Sequence, residues 1–301
     1  MSFESLIATS QRLSVSLEAL AALGAQLHLK HEGLNVDPRM RTLLNEIERA
    51  VDPQLLKDVD RREQAAALAF IRTIFRQAID LLENPARVPG WRYEDPDILQ
   101  SQGLVSRVIV RWIEAMAAQE PDLRATLSRP GAFLDIGTGV GWLAIEAALS
   151  WPALRIVGID SWEPALSLAR ENLAQCAAAE RVEFRLQRVE QLEETPCFTL
   201  AWLPGPFIAA EIADRALERL RNALVADGWL IFGLNAPPRA PLEQALTSLR
   251  SVRSGGHPWT PQEVEEKLQA HGFERIEVYS PAPPIVFVAG RRAVSLKYSR
   301  E

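Results

Sequence analysis

Residues Gly131–Asp160 have the sequence GAFLDIGTGVGWLAIEAALSWPALRIVGID. A short apolar run at Ala132–Asp135 predicts a first strand, and a second apolar run at Arg155–Ile159 predicts another. Between them, Trp142–Leu149 combines helix-forming residues with an apolar face. The free N–H groups of the first turn of this helix would point at whatever the preceding loop holds. The stretch therefore predicts a strand, a turn, a helix and a second strand, with an acid at the end of each strand.

Three alternating glycines form the turn Gly137–Gly141, which we call the glycine loop. Without a Cβ, glycine lets the backbone turn tightly and approach a ligand closely. A dinucleotide fingerprint instead has the spacing G-x-G-x-x-G and places a pyrophosphate at the helix start. Here Asp135 stands two residues before the first glycine, and its carboxylate would repel a pyrophosphate but attract a cationic amine. An acid about twenty residues past the glycines, here Asp160, is where a βαβ unit places its ribose-binding carboxylate.

This combination resembles motif I of the class I S-adenosylmethionine (SAM)-dependent methyltransferases, and the glycine loop matches the motif fully. The resemblance implies that SAM is the cofactor. It places Asp135 near the methionine end, Asp160 on the ribose hydroxyls, and Gly137, Gly139 and Gly141 in close backbone approach. The alternative is a structural strand–turn–helix that binds nothing. The other residues expected to contact the cofactor are Thr138, Ser161, Gln187, Val189 and Leu203.

Composition narrows the classes of function. With 301 residues, 48% of them hydrophobic, the chain can fill a sizeable core and form two domains. A net charge of -6 argues against a surface for duplex nucleic acid, which needs clustered basic side chains. Cys176 and Cys197 lack any C-x-x-C spacing, so we expect free thiols. We see no signal peptide and no membrane-spanning apolar run, and therefore expect a cytoplasmic protein that does not bind membranes.

The first 118 residues have almost entirely helical patterns. Prolines and a glycine interrupt them at Asn84–Pro96, which we predict to be a loop. We predict a helical cap domain for substrate binding or dimerisation over residues 1–120, and a SAM-binding Rossmann-like domain over residues 121–301. The predicted helices are Phe3–Leu29, Met40–Ile47, Gln64–Leu82 and Asp97–Ala118.

After Asp160 helices and strands continue to alternate, as a doubly wound sheet requires. Together with the first two strands, seven strands ending in a hairpin-like pair again resemble the class I methyltransferase core. The expected fold class is α/β, a seven-stranded doubly wound Rossmann-like methyltransferase sheet with an N-terminal all-helical cap domain. The later strands are predicted at Arg181–Gln187, Cys197–Leu203, Trp229–Leu234, Phe273–Tyr279 and Ile285–Gly290.

Loops that follow the strands are candidate walls of the site, because ligands of open α/β sheets bind beyond the carboxyl ends of the strands. After the third strand the family usually has an acid that binds the adenine amine. Here Arg188 stands at that position. Either Gln187 or Glu190 makes the adenine contact, or the affinity for the cofactor is reduced, or the equivalent position is one residue away. After the fourth strand, Leu203 stands where methyltransferases of amino groups have an amide or acid. The loss of that acceptor argues against the amino-group subclass.

Two side chains are candidate bases for a hydroxyl acceptor. His257 lies in a loop that we predict to follow the fifth strand, and imidazole is well suited to proton transfer near neutral pH. Glu211 is the second candidate. The histidines show no metal-ligand pairing, so we expect no metal. The residues expected to bind the substrate are Trp91, Tyr93, Gln102, Ser106, Pro204, Phe207 and Trp259. For Trp91 and Tyr93 the alternative is a role in core packing.

The leading hypothesis is methyl transfer from SAM to a small-molecule acceptor beneath the helical cap, with O-methylation slightly favoured. Methyl transfer from a sulfonium is an in-line displacement, so alignment and exclusion of water can supply much of the catalysis. The alternatives are a non-catalytic or regulatory SAM-binding protein and a protein or RNA methyltransferase. The leucine-rich first helix suits a homodimer interface as readily as a cap.

Overall fold

The computed structural model describes residues 2–57, 59–238, 240–282 and 285–293. The chain divides into two compact units. The helical unit comprises Met1–Pro85 and Gln100–Val105, and the sheet unit comprises Ala86–Leu99 and Ser106–Glu301. The predicted domain boundary near residue 120 stays a prediction. No described helix is long and apolar enough to cross a membrane.

The helical unit contains α1 (Phe3–Glu32), α2 (Pro38–Val51) and α3 (Arg61–Glu83). Side chains cap the start of all three helices; α3 has a full capping box, in which Asp60 and Glu63 satisfy each other's backbone N–H groups. Buried leucines and an isoleucine hold α1 against α3. The buried members of this small core are Leu27, Leu68 and Ile71.

The sheet unit is built on one seven-stranded sheet with the strand order β3-β2-β1-β4-β5-β7-β6. Only β7 runs antiparallel to its neighbours, β5 and β6. This order confirms the predicted doubly wound sheet with a terminal hairpin. The strands are β1 (Gly131–Ile136), β2 (Leu154–Asp160), β3 (Val182–Leu186), β4 (Phe198–Pro204), β5 (Leu224–Asn235), β6 (Phe273–Ala282) and β7 (Ile285–Arg292).

Helices cover both faces of the sheet and create two apolar cores. Phe133 is fully buried in one core, where it packs edge-on against Trp151 with 5.4 Å between ring centroids. Phe232 and Trp259 pack within the other core. The helices are α4 (Pro96–Ser106), α5 (Val108–Gln119), α6 (Pro121–Ser128), α7 (Trp142–Ser150), α8 (Glu163–Ala174), α9 (Ala210–Ala223), α10 (Pro241–Arg253) and α11 (Pro261–Ala270).

Two sequence predictions are wrong in detail, and two helices were not predicted. The predicted helix Asp97–Ala118 is broken at Arg107, where a tight i to i+3 backbone bond from Val110 separates α4 from α5. Before β1 the structure also has α6, where no helix was predicted; it begins with a proline in its first turn. The loop that carries His257 follows α10 and not β5. No helix was predicted between the fifth strand and this loop; α10 begins there at Pro241, and proline is well tolerated at the first helical position.

Glycine at position 205 allows the turn after β4 to lie directly on β5. A Cβ at Gly205 would lie 2.4 Å from Cε1 of Phe232 and 2.7 Å from the carbonyl oxygen of Gly233. The carbonyl oxygen belongs to a central strand and has little freedom to move. The close packing of this turn therefore depends on the absence of a side chain at Gly205.

Gly205→Ala is expected to lower the free energy of unfolding by roughly 1–3 kcal/mol, because the added methyl group overpacks the contact with β5. Urea unfolding followed by circular dichroism measures this loss as a lower midpoint at unchanged slope. As a control, Leu186→Ala removes an exposed side chain from β3, with an expected change of about 0.5 kcal/mol or less. A wild-type midpoint for Gly205→Ala would contradict the packing described here.

Candidate functional site

The glycine loop connects β1 to α7 in a conformation that suits glycine. Gly137, Gly139 and Gly141 all have positive φ, between 56° and 80°, a region that L side chains rarely adopt. The backbone N–H of Thr138 donates to the carbonyl oxygen of Ile159 at 3.0 Å, which ties the loop to β2. A Cβ at Gly139 would meet no heavy atom nearer than 4.0 Å. The loop is therefore open on the side where a ligand would approach.

Asp160, at the end of β2, organises the neighbouring backbone. Its Oδ2 accepts a hydrogen bond from the N–H of Gly139 at 2.8 Å, and its Oδ1 accepts one from the N–H of Trp162 at 2.8 Å. Burial raises the pKa of Asp160 above its ordinary value, and these backbone bonds act in the opposite direction. A carboxylate has about four acceptor positions. Asp160 can hold the loop and still accept hydrogen bonds from ligand hydroxyls.

Asp135 lies deeper in the same site and is 1% exposed. Burial raises its pKa from 3.8 to about 7; the hydroxyl of Thr138, which donates to Oδ2 at 2.7 Å, lowers the pKa, and the charge of Asp160 raises it further. A buried carboxylate is costly without a compensating charge. The site therefore favours a cationic group beside Asp135, such as the ammonium of an amino acid.

The residues after β3 are arranged differently from the family pattern. The backbone N–H of Gln187 donates to the carbonyl oxygen of Asp160 at 2.8 Å, and Val189 is buried. Arg188, which stands at the position of the usual acid, is exposed and pairs with Glu190 at 2.8 Å between Nε and Oε1. The adenine contact by Gln187 or Glu190 stays a prediction. Ser161 is exposed after β2, whereas the side chain of Leu203 is fully buried.

Aromatic side chains lie beside the glycine loop within the same unit. Residues 86–95, the aromatic loop, bring Trp91 within 4.9 Å of Tyr93 and 5.3 Å of Phe207 between ring centroids. Phe207 lies in the turn after β4, and the main-chain oxygen of Tyr93 accepts a hydrogen bond from Trp162, after β2. The aromatic loop therefore lies along the carboxyl ends of β2 and β4, the strands on either side of β1.

Three predicted substrate residues, Trp91, Tyr93 and Phe207, are thus brought together, and Pro204 lies at the end of β4. Trp259 is mainly a core residue, because it is buried and its indole N–H donates to the carbonyl oxygen of Ile208 at 2.9 Å. The remaining two predicted residues lie on α4: Gln102 in the helical unit, and Ser106 at the last position of the helix. A role in acceptor binding stays a prediction for all seven.

The candidate bases flank the turn that follows β4. The backbone N–H of His257 donates to the carbonyl oxygen of Ile208 at 3.0 Å, which holds its loop there although the loop follows α10. The His257 side chain is 36% exposed, with Nε2 3.8 Å from Oε1 of Glu263. Glu211 is exposed in the first turn of α9. Within the described ranges, no group of three or more acidic, histidine or cysteine side chains could hold a metal ion.

Sequence reasoning overlooked Trp162. Its backbone bonds to Asp160 and its indole N–H donates to the main-chain oxygen of Tyr93 at 2.8 Å. The only local signal was its position two residues after Asp160. Its partner lies far away in the chain, in a segment whose pattern predicted no more than a loop.

Comparison with known proteins agrees with this geometry. A family model described as a methyltransferase domain matches residues 128–249. The malonyl-[acyl-carrier protein] O-methyltransferase of Geobacter sulfurreducens is 30% identical over 161 residues, covering 50% of this chain and 58% of the relative. The chain spans about half the length of the curated relatives it matches.

Among solved structures, human N-acetylserotonin methyltransferase in complex with SAM superposes with a TM-score of 0.66 at 15% identity, covering 98% of this chain and 99% of that one. The mitomycin 7-O-methyltransferase has a TM-score of 0.60 at 18% identity, with 97% and 100% covered. These structures share the fold across both units. Residues 128–249 thus match a methyltransferase domain, and the strand order and the glycine loop agree with the fold of the class I S-adenosylmethionine-dependent methyltransferases.

Proposed function

We propose that this protein transfers a methyl group from SAM to a small-molecule acceptor, with a hydroxyl oxygen as the favoured acceptor atom. The observation that carries the proposal is that the aromatic loop lies beside the glycine loop. The two loops are connected through Asp160 and through the hydrogen bond from Trp162 to Tyr93. The proposed cofactor-binding loop and an apolar surface for the acceptor thus lie at the same edge of one sheet. The O-methyltransferase names of the malonyl relative and the mitomycin enzyme support oxygen as the acceptor atom.

The residues present fit SAM. The positive-φ glycine loop offers an open backbone, Asp160 retains acceptor capacity for ribose hydroxyls, and the buried Asp135 favours a neighbouring ammonium. When bound, SAM supplies an activated methyl group on a sulfonium. The chain's own contribution is to hold both partners in line and to exclude water, which can supply much of the rate enhancement.

The acceptor would meet an aromatic and apolar surface formed by Trp91, Tyr93 and Phe207. Such rings favour flat or apolar molecules, which stack on them or meet their edges. His257 is the proposed base for a hydroxyl acceptor, since imidazole accepts a proton readily near neutral pH. Glu211 is the second candidate. Coverage of the acceptor by the helical unit stays a prediction.

The compartment and the binding partners of the protein are also proposals. The two free cysteines, Cys176 and Cys197, support a reducing cytoplasm. The net charge of -6 supports a protein that does not bind duplex nucleic acid. Exposed leucines on α1 support a homodimer through the helical unit; these are Leu6, Leu13 and Leu17.

Purified protein is expected to bind SAM and to release S-adenosylhomocysteine in the presence of hydroxylated aromatic compounds. Asp160→Ala is expected to weaken cofactor binding roughly ten- to a hundredfold, because hydrogen bonds to a charged group each contribute about 1.5–3 kcal/mol. Calorimetry measures the binding, and chromatographic detection of S-adenosylhomocysteine measures the turnover. Glu163→Ala, which removes an exposed carboxylate from the first turn of α8, serves as the control and should bind as wild type.

Three results would defeat the proposal. The first is a wild-type protein that binds neither SAM nor S-adenosylhomocysteine. The second is an Asp160→Ala variant with unchanged affinity. The third is turnover only with a malonyl group carried on acyl carrier protein, which would identify a protein-borne acceptor instead of a free small molecule.

Asp135 predicts a pH dependence of cofactor affinity. An ammonium binds the ionised carboxylate, whose pKa in the free protein is about 7. Affinity for S-adenosylhomocysteine should therefore be constant above pH 7 and fall below it, by up to about tenfold per pH unit. Asp135→Asn should show weak binding at every pH and no such fall. Calorimetric titrations between pH 5.5 and pH 8.5 test this, and a wild-type affinity that is flat over that range would contradict it.

The same variant should change stability in the opposite direction. Because folding raises the pKa of Asp135 from 3.8 to about 7, its contribution to stability is lost as pH rises between those values. Asp135→Asn removes this loss, so the free variant should melt at a higher temperature than wild type at pH 8. The exposed control Glu180→Gln should melt as wild type.

A further inference from the structure

Trp162 connects two parts of the sheet unit that are remote in sequence. Its indole N–H donates to the main-chain carbonyl oxygen of Tyr93 at 2.8 Å, near the ideal length for such a bond. Both side chains pack around the buried Leu99 and Val140. The hydrogen bond therefore lies in a partly dry environment, where it is directional and strengthened by the low dielectric.

The other side of Trp162 faces the proposed cofactor site. Its backbone N–H donates to Oδ1 of Asp160, while Oδ2 of the same carboxylate accepts the N–H of Gly139. Three hydrogen bonds thus run in series from the glycine loop, through Asp160 and Trp162, to the carbonyl of Tyr93. From there the aromatic contacts continue through Trp91 to Phe207.

We propose that Trp162 is a positioning residue: when the cofactor binds to Asp160, Trp162 orders the aromatic loop. SAM therefore binds first and the acceptor second. The inference rests on the proposed function. Hydroxyl groups that donate to Asp160 restrict the orientation of its carboxylate, which in turn restricts the Trp162 backbone and the indole N–H. An acceptor that arrives later meets an aromatic wall that is already ordered, and loses less conformational entropy on binding.

Thermodynamic linkage makes the coupling between cofactor and acceptor reciprocal. If the cofactor raises the affinity of the acceptor through this series of bonds, the acceptor raises the affinity of the cofactor by the same factor. The cofactor changes the affinity for the acceptor only if the hydrogen bonds of Trp162 order the aromatic loop differently in the free and the cofactor-bound protein. A tryptophan that merely packs the loop in place would contribute equally with and without cofactor.

Hydrogen exchange tests the coupling without knowledge of the acceptor. We expect S-adenosylhomocysteine to slow amide exchange in residues 86–95 of the wild-type protein roughly fivefold, the effect of about one net hydrogen bond. Trp162→Phe keeps an aromatic ring but removes the N–H donor. At saturating S-adenosylhomocysteine, this variant should bind the probe within about twofold of wild type, yet show no protection of residues 86–95.

Trp112→Phe makes the same chemical change in α5, on a partly buried ring that packs against a core of the sheet, and should retain wild-type protection. Protection that persists in Trp162→Phe, or exchange that changes equally with and without S-adenosylhomocysteine, would overturn the inference. Wild-type protein that binds the probe without protecting residues 86–95 would also overturn it, whether or not the variant folds. Such a result would leave the proposed function intact, whereas failure of wild type to bind the probe would contradict the proposed function itself.

Discussion

The carboxylate of Asp160 accepts backbone N–H groups from both sides of the site, from Gly139 in the glycine loop and from Trp162 in the turn before α8. These groups belong to segments that no regular ladder connects, so the carboxylate supplies acceptors that the backbone alone would lack. The glycine loop is held by this carboxylate and by the backbone bond from Thr138 to Ile159. The aromatic loop is joined to the same point through Trp162 and the carbonyl of Tyr93.

The two buried acids of the site lower the stability of the folded protein. Asp135 and Asp160 are both withdrawn from water, and burial raises the pKa of each. Two neighbouring carboxyl groups repel each other when both are ionised, so the free protein near neutral pH holds an unfavourable arrangement. A ligand that brings an ammonium and hydroxyl donors would relieve it. Functional sites are commonly less stable than the scaffold that supports them, and here the scaffold is a sheet with two filled cores.

The parts of the fold that local sequence controls were predicted well. The strand, glycine turn, helix and second strand of residues 131–160 follow from apolar runs and glycine spacing, and the structure has them within a few residues. Long-range partners were harder to predict. Nothing near Trp162 in the sequence indicates that its indole reaches Tyr93, and nothing near His257 indicates that its backbone binds Ile208. The helix α10, which begins at Pro241, was not predicted.

We propose that Asp160 binds the ribose hydroxyls and the surrounding backbone at the same time. A crystal structure of the complex with S-adenosylhomocysteine tests it most directly. We expect the ribose hydroxyls to lie at about 2.7–3.0 Å from the Asp160 oxygens, with the bonds from Gly139 and Trp162 retained. A ligand bound away from Asp160, or a carboxylate that releases both backbone N–H groups to bind the ribose, would contradict the account.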